Sequence, residues 1–99
     1  MENNSIDKDK PIFPICVMAE ALSMHPRTLR IYDSEKILSP QRSLKNRRLY
    51  SINDVEKGRF IQHLIRDKGV NLAGIKIILG IFSLLKISPE KYAKIITTV

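Results

Sequence analysis

Two arginines three residues apart, Arg27 and Arg30, are the side chains in this sequence best suited to grip another molecule. A guanidinium group presents a planar fork of donors that fits phosphate oxygens and the acceptor edge of guanine. On a helix, a spacing of three places both side chains on nearly the same face. We expect Arg27, or the nearby His25, to reach base edges of nucleic acid while Arg30 holds phosphate.

Simpler explanations of this basic segment remain open at the level of the sequence. Arg30 could pair with Asp33, three residues further along, and the face could be no more than a solvated surface. Tyr32 could offer its hydroxyl to a phosphate, or it could be an ordinary core residue. Thr28 could contact a thymine methyl group, a phosphate or only the first helical turn. The predicted DNA contacts of this segment are His25, Arg27, Thr28, Arg30 and Tyr32.

A second basic group follows immediately along the chain. Between His25 and Tyr50 lie seven of the 17 basic residues but only two of the ten acidic ones, so the net charge of +7 is concentrated there. Such clustering favours a polyanionic partner. A basic loop can also be merely solvated, but beside a recognition helix it suits phosphate or minor-groove contact. The predicted contacts from this group are Arg42, Lys45, Arg47, Arg48 and Tyr50.

Hydrophobic spacing and turn residues indicate the elements that position these side chains. Helices are expected over Ile15–Leu22 and Pro26–Glu35, separated by the three-residue turn Ser23–His25, which makes a helix-turn-helix. Pro26 suits the first position of a helix because its missing N–H costs nothing there. The second helix is the one that would enter a major groove, braced by the first.

A small hairpin and three more helices should follow. The hairpin comprises an extended Ile37–Pro40, a polar loop with Asn46 as turn residue, and a strand over Arg47–Tyr50. Ser51 and Gly69 should bound the next helix, and Asn71 should cap another. The sequence therefore predicts a mostly α-helical winged helix-turn-helix with a small β-hairpin wing. The following helices are expected from Ser51 to about Lys68, from Leu72 to about Ile81, and over Pro89–Thr98.

Three regions are expected from this division. Residues 1–11 should form a disordered arm, residues 12–81 the DNA-binding domain, and residues 82–99 an apolar C-terminal segment with a helix. The apolar content after Lys76 exceeds what a short tail needs, which favours a homodimer interface. The alternative is that these residues complete the core of a single chain. The predicted dimerisation residues are Phe82, Leu85, Tyr92, Ile95, Ile96 and Val99.

Several kinds of chemistry are not expected. The single cysteine, Cys16, excludes a disulfide within the chain, and neither His25 nor His63 has partners at metal-ligand spacing. No nucleophile–base set, carboxylate pair or glycine-rich phosphate loop is present, so we expect neither an enzyme nor a cofactor. The N-terminus lacks an apolar signal, and the longest apolar stretch is too short to cross a bilayer, so we expect a cytoplasmic protein.

Ile15 through Tyr50 resembles the DNA-binding half of the MerR family of transcription regulators. The similarity is greatest in three segments: residues 24–33 (MHPRTLRIYD), residues 37–40 (ILSP) and residues 48–51 (RLYS). His25-Pro26 and residues 69–76 (GVNLAGIK) resemble the heat-shock repressor branch in particular. Asn46 departs from the family, which commonly has a glycine in the wing.

The resemblance implies a dimeric repressor of heat-shock and chaperone genes, bound to an inverted-repeat operator in double-stranded DNA. It also implies a chaperone as a candidate co-repressor. Metal or drug sensing is not expected, because the long dimerisation helix and effector region of the sensing members have no counterpart before Val99. Alternative interpretations are a phage-type excisionase, which bends DNA with a similar winged helix, and a protein–protein adaptor.

Overall fold

The first two helices form the expected helix-turn-helix in a computed structural model that describes residues 6–98. Helix α1 spans Ile15–Ala21 and α2 spans Pro26–Ser34. The chain reverses at Ser23, which takes a left-handed φ of 52°, and the Met24 N–H donates to the Ala19 carbonyl at 2.9 Å. The turn thus closes on the end of α1 and separates the two helices, as predicted.

Three short strands make an antiparallel sheet beside this helix pair. Strand β1 is Phe13–Pro14, β2 is Gln41–Arg42 and β3 is Arg48–Tyr50, with β3 in the centre. The expected wing is therefore present, but its first arm is formed by β2. Ile37 and Leu38, where an extended arm was expected, are buried in the core instead. Their large apolar side chains are more stable there than on a hairpin exposed to solvent.

Helix α3, Ile52–Arg66, contributes Phe60, Ile61 and Leu64 to the buried core. Ser51 caps it as expected: its Oγ accepts from the Asp54 N–H at 3.1 Å, and Asp54 Oδ2 accepts from the Ser51 N–H at 2.9 Å. This reciprocal pair satisfies two donors that a helix start leaves free. The predicted stop at Gly69 is also confirmed, because Gly69 has a φ of 68° just beyond the last turn.

Two further helices complete the described chain. Helix α4 is Leu72–Leu84, capped by the Asn71 side chain and three residues longer than expected. A 3-10 turn, Pro89–Lys91, leads into α5, Tyr92–Thr98. None of the described helices is by itself long and apolar enough to span a bilayer; α4 and the C-terminal helical segment meet that criterion only when combined, and a 115° bend separates them.

The core is centred on α3, and α5 folds back to cover it. The rings of Phe60, Phe82 and Tyr92 lie 5.0–5.5 Å apart, in tilted arrangements that aromatic pairs favour. Tyr92 is buried, and Ile95 and Ile96 pack against the same cluster. Four predicted dimerisation residues thus pack against the core of the single chain: Tyr92 is buried, whereas Phe82, Ile95 and Ile96 are half-buried.

Part of the expected N-terminal arm has defined partners. The Asn53 N–H donates to the Lys8 carbonyl at 2.9 Å, and its side-chain amide donates to Asp9 Oδ1 at 2.7 Å. These bonds attach residues 7–10 to the start of α3. Residues 1–5 of the arm, and the dimerisation residue Val99, lie outside the described residues.

Gly58 of α3 packs closely against the helix-turn-helix. A Cβ atom there would lie 2.7 Å from Leu22 Cδ1, whereas one on Gly80 of α4 would meet nothing within 4 Å. We expect Gly58→Val to lower the free energy of unfolding by about 1–3 kcal/mol through overpacking. Gly80→Val, the matched control, should change it by about 0.5 kcal/mol or less. Urea denaturation measures both; equal effects would contradict the tight contact at Gly58.

Candidate nucleic-acid interface

Helix α2 buries one face and exposes the other. Leu29 and Tyr32 point into the core, with Leu29 fully buried. The opposite face follows the spacing of a single helical stripe and consists of Arg27, Arg30, Ile31 and Ser34, all exposed. The predicted DNA-contacting arginines are thus on one accessible face, and Thr28 lies half-buried at its edge.

His25 has a structural role at the start of this helix. Its Nδ1 accepts a hydrogen bond from the Arg27 N–H at 3.0 Å and so caps α2. The ring is exposed, which leaves Nε2 on the accessible side as the atom able to meet a base or phosphate. His25 therefore fixes the first turn from which Arg27 projects.

The wing is joined to α2 through one carboxylate. Asp33 Oδ2 accepts from Arg48 Nε at 3.0 Å and from Arg42 Nη2 at 3.3 Å. Arg42 and Arg48 face each other on β2 and β3, so both strands of the wing converge on the recognition helix. The alternative pair, Arg30 with Asp33, is not formed.

Both acidic residues of the basic segment are used in ion pairs. Besides Asp33, Glu35 accepts from Lys76 of α4 at 2.8 Å. Five basic residues of the segment have no ion pair among the described residues and face outward. These are Arg27, Arg30, Lys36, Lys45 and Arg47.

The tip of the wing is a tight, internally bonded turn. Ser43 Oγ accepts from the N–H groups of Lys45 and Arg47, and the Ser43 carbonyl accepts from the Asn46 N–H. Asn46 has a left-handed φ of 61°, which confirms it as the turn residue and explains how it replaces a glycine. Leu44, at the extremity, is fully exposed.

Arginines also converge where the wing meets the start of α1. A cavity of about 370 Å³ is lined by Pro14 and Ile15 on one side, and by Asn46 and three wing arginines on the other. Arg47 is exposed there and has no ion pair among the described residues. Guanidinium groups around an open cavity suit a phosphate oxygen. The arginines are Arg42, Arg47 and Arg48.

The two predicted tyrosine contacts lie in the core. Tyr50 has no exposed surface, and its hydroxyl has no hydrogen-bond partner among the described residues. Burial, reinforced by the nearby Asp33 carboxylate, raises the pKa of Tyr50 to about 12. The predicted DNA contact by Tyr50 is thus corrected, because its ring is fully buried in the core. Tyr32 is also buried, and burial raises its pKa, although Arg66 acts in the opposite direction.

A separate apolar surface lies on α4. Ile77, Ile81 and Leu84 follow one face of the helix, Leu85 caps its C-terminal end beside them, and all four are 48–83% exposed. We call these four residues the α4 stripe. Leu85 is the one predicted dimerisation residue that belongs to it.

No metal-ligand cluster is present in the part of the chain that the structure describes. Residues 6–98 contain no group of three potential metal ligands. His63 instead forms an i,i+4 pair with Asp67 at 2.8 Å. Cys16 is exposed on α1 and forms no disulfide.

Comparisons with known proteins agree with this architecture. The MerR HTH family of regulatory proteins matches residues 13–80. The chain is 43% identical over 74 residues to the heat shock protein HspR of Streptomyces coelicolor, covering 75% of this chain and 49% of that protein. It is 40% identical over 72 residues to the transcriptional regulator GlnR of Bacillus cereus, covering 73% and 55%. For the regulator TnrA of Bacillus subtilis the values are 37% over 68 residues, 69% and 61%.

The fold and the site define a winged helix-turn-helix protein with an exposed basic surface on α2 and the wing. The chain belongs to the MerR HTH family of regulatory proteins, since the family match extends over most of its length. The predicted resemblance is thereby confirmed. The chain spans about half to three fifths of the length of these relatives.

Sequence reasoning missed three residues of this site. The sequence indicates Asp33 only as a partner of Arg30, because nothing in it reveals that β2 and β3 meet the end of α2. Ile31 is apolar and so is not predicted as a contact, although helical spacing places it between Arg27 and Ser34 on the helix surface. Leu44 lies in a turn, where hydrophobic periodicity does not apply, so the sequence gives no indication of its position.

Replacing Tyr50 tests whether its hydroxyl serves only the core. We expect Tyr50→Phe to leave duplex DNA affinity unchanged and to raise the free energy of unfolding by up to about 1 kcal/mol, because a buried hydroxyl without a partner is lost. Fluorescence anisotropy and urea denaturation measure the two effects.

The same variant has a pH signature. The raised pKa of Tyr50 means that the folded state favours the neutral phenol. The stability that this preference contributes is fully present below the unfolded pKa of 10 and is lost as the pH rises towards about 12. Wild type should therefore lose more stability than Tyr50→Phe in that range. A marked loss of DNA affinity in Tyr50→Phe would instead restore the hydroxyl as a contact.

Proposed function

We propose that this protein is a DNA-binding transcription regulator that reads the major groove with α2. The observation that carries the proposal is the combination of an exposed Arg27–Arg30 face with a wing attached to the same helix through Asp33. Pairing of both local carboxylates leaves the remaining basic side chains free to attract phosphates. Family membership supports the same function.

The proposed contacts fall into two kinds: contacts to base edges near the start of α2, and contacts to phosphates further along α2 and on the wing. Arg27 projects from the first turn of α2, the region of a recognition helix that meets base edges. Arg30 lies one turn further along, where phosphate is the expected partner. Lys45 and Arg47 extend from the wing and would hold flanking phosphates, whereas Arg48, 26% exposed, acts mainly by positioning the wing.

The functional unit we propose is a homodimer formed by the α4 stripe. Four large apolar side chains on one helix face are costly to leave in water, and no charged side chain interrupts them along the stripe. A second copy of the chain would bury the stripe symmetrically, and two-fold symmetry suits paired half-sites in DNA. An inverted-repeat operator is the corresponding DNA target.

We further infer that the regulated genes are those of the heat-shock response, with the protein acting as a repressor in the cytoplasm. Similarity to HspR over 74 residues supports this assignment, together with the His25-Pro26 helix start. GlnR and TnrA, which are also similar, represent the competing gene classes. A chaperone co-repressor would be the additional partner. Footprinting on chaperone promoters of the source organism, against other promoters, distinguishes these assignments.

The base-reading role of Arg27 gives the main test. The preference is the ratio of the affinity for a duplex that the protein selects from a random pool to the affinity for a random duplex. We expect Arg27→Ala to reduce this ratio by about 5- to 150-fold. Arg47→Ala should weaken both duplexes alike, since phosphates carry no sequence information. Anisotropy titrations at two salt concentrations measure both affinities. If wild type bound neither duplex at low salt, the regulator function would be refuted.

The dimer surface is tested separately. We expect Ile77→Lys and Leu84→Lys to shift the protein from dimer to monomer in sedimentation velocity, because each places a charge within the α4 stripe. Ile6→Lys changes an exposed isoleucine outside the stripe and is the matched control. A monomeric wild type, or dimers that persist in both stripe variants, would contradict the assignment.

A further inference from the structure

Leu44 is an unusual residue to find at the tip of the wing. It is fully exposed, more so than any other large apolar side chain in the described residues. A single exposed leucine carries little meaning in most places. This one, however, is the outermost side chain of the hairpin that we assign to DNA, and it is followed directly by Lys45.

The turn that presents Leu44 is held in a fixed shape. Ser43 accepts three backbone hydrogen bonds from within the turn, at 2.9–3.3 Å. Arg42 Nη1 also donates to the Asn46 carbonyl at 3.3 Å, which closes the turn across its base. Asp33 then fixes both strands to α2. The position of Leu44 is therefore set relative to the recognition helix.

The surroundings of Leu44 favour DNA over another protein surface as its partner. The neighbouring side chains at the tip are cationic or polar, namely Arg42, Lys45, Asn46 and Arg47, all exposed. A protein interface would need further apolar area around the leucine, and the other exposed apolar group, the α4 stripe, lies on a different element. A lone apolar side chain between cations matches the minor groove, where phosphates line both edges.

Leucine has a known physical use in that groove. Apolar side chains inserted from the minor-groove side separate adjacent stacked base pairs and kink the duplex towards the major groove. A narrow hairpin tip fits a groove only about 6 Å wide. The cations flanking the leucine would neutralise the phosphates that the kink brings closer.

We propose that Leu44 is a wedge that enters the minor groove beside the α2 site, unstacks one base step and bends the operator. The proposal rests on the DNA-binding function proposed above. It assigns to the wing a role in selecting deformable sequence, since pyrimidine–purine steps such as TA and CA unstack most easily.

The test uses the full chain and a duplex of about 30 base pairs selected by wild type from a random pool, with fluorophores at both ends. A second version carries 2-aminopurine at the step that the wing protects in footprinting. Leu44→Ala is compared with Ile6→Ala, which removes an exposed isoleucine elsewhere, and with Lys45→Ala, which removes a neighbouring charge. Thermal melts check that all variants fold, as expected for exposed positions.

At saturating protein, wild type should shorten the end-to-end distance and increase 2-aminopurine fluorescence. Leu44→Ala should lose both signals and about fivefold or more in affinity for the selected duplex, whereas Ile6→Ala should retain all three. Lys45→Ala should bind more weakly but keep both signals once saturated.

The outcomes separate the wedge from the regulator function. Binding by wild type with equal bend and fluorescence in Leu44→Ala would overturn the wedge and leave the regulator function standing. Loss of the signals in Ile6→Ala as well would also overturn it, because the effect would not belong to the wing tip. Failure of wild type to bind any duplex would refute both proposals together.

Discussion

The ion-pair cluster at Asp33 is the interaction on which the geometry of the basic surface depends. Arg42 and Arg48 lie opposite each other on the two strands of the wing, and like charges in that position destabilise a sheet unless an anion lies between them. The side chains of Asp33 and Arg48 are 18% and 26% exposed, so water competes little for their bond, a charge-assisted interaction worth about 1.5–3 kcal/mol. The Arg42 side chain is 41% exposed, so solvent screens its longer bond to Asp33, which contributes about 1 kcal/mol or less.

Tyr50 lies next to the same ion-pair cluster of Asp33, Arg42 and Arg48. Its ring is fully buried, and its hydroxyl is close enough to Asp33 and Arg48 to feel both charges. The arrangement gives the wing a defined angle to α2. A basic hairpin that swung freely would lose conformational entropy on binding, and one that is already fixed avoids that cost.

The fold could be predicted from sequence where local signals are strong. Capping residues at Ser51 and Asn71, the Pro26 start and the Ser23–His25 turn all correspond to elements in the structure. The exposed arginines of α2 followed from helical spacing. Long-range packing could not be predicted: that α5 returns to α3, so that Phe82 and Tyr92 pack on its core, and that Tyr50 is fully buried. Apolar residues show that burial occurs, but their identity does not reveal which surface covers them.

The exposed α4 stripe has a consequence for how occupancy of DNA would respond to the abundance of the chain. If each operator takes two copies and the stripe joins them only weakly, the fraction bound grows with the square of the free monomer concentration by mass action. A modest fall in the amount of protein would then release a promoter more sharply than a monomeric binder could. The four side chains of the α4 stripe, which are not on α2 or the wing, would then determine how steeply DNA binding depends on protein concentration.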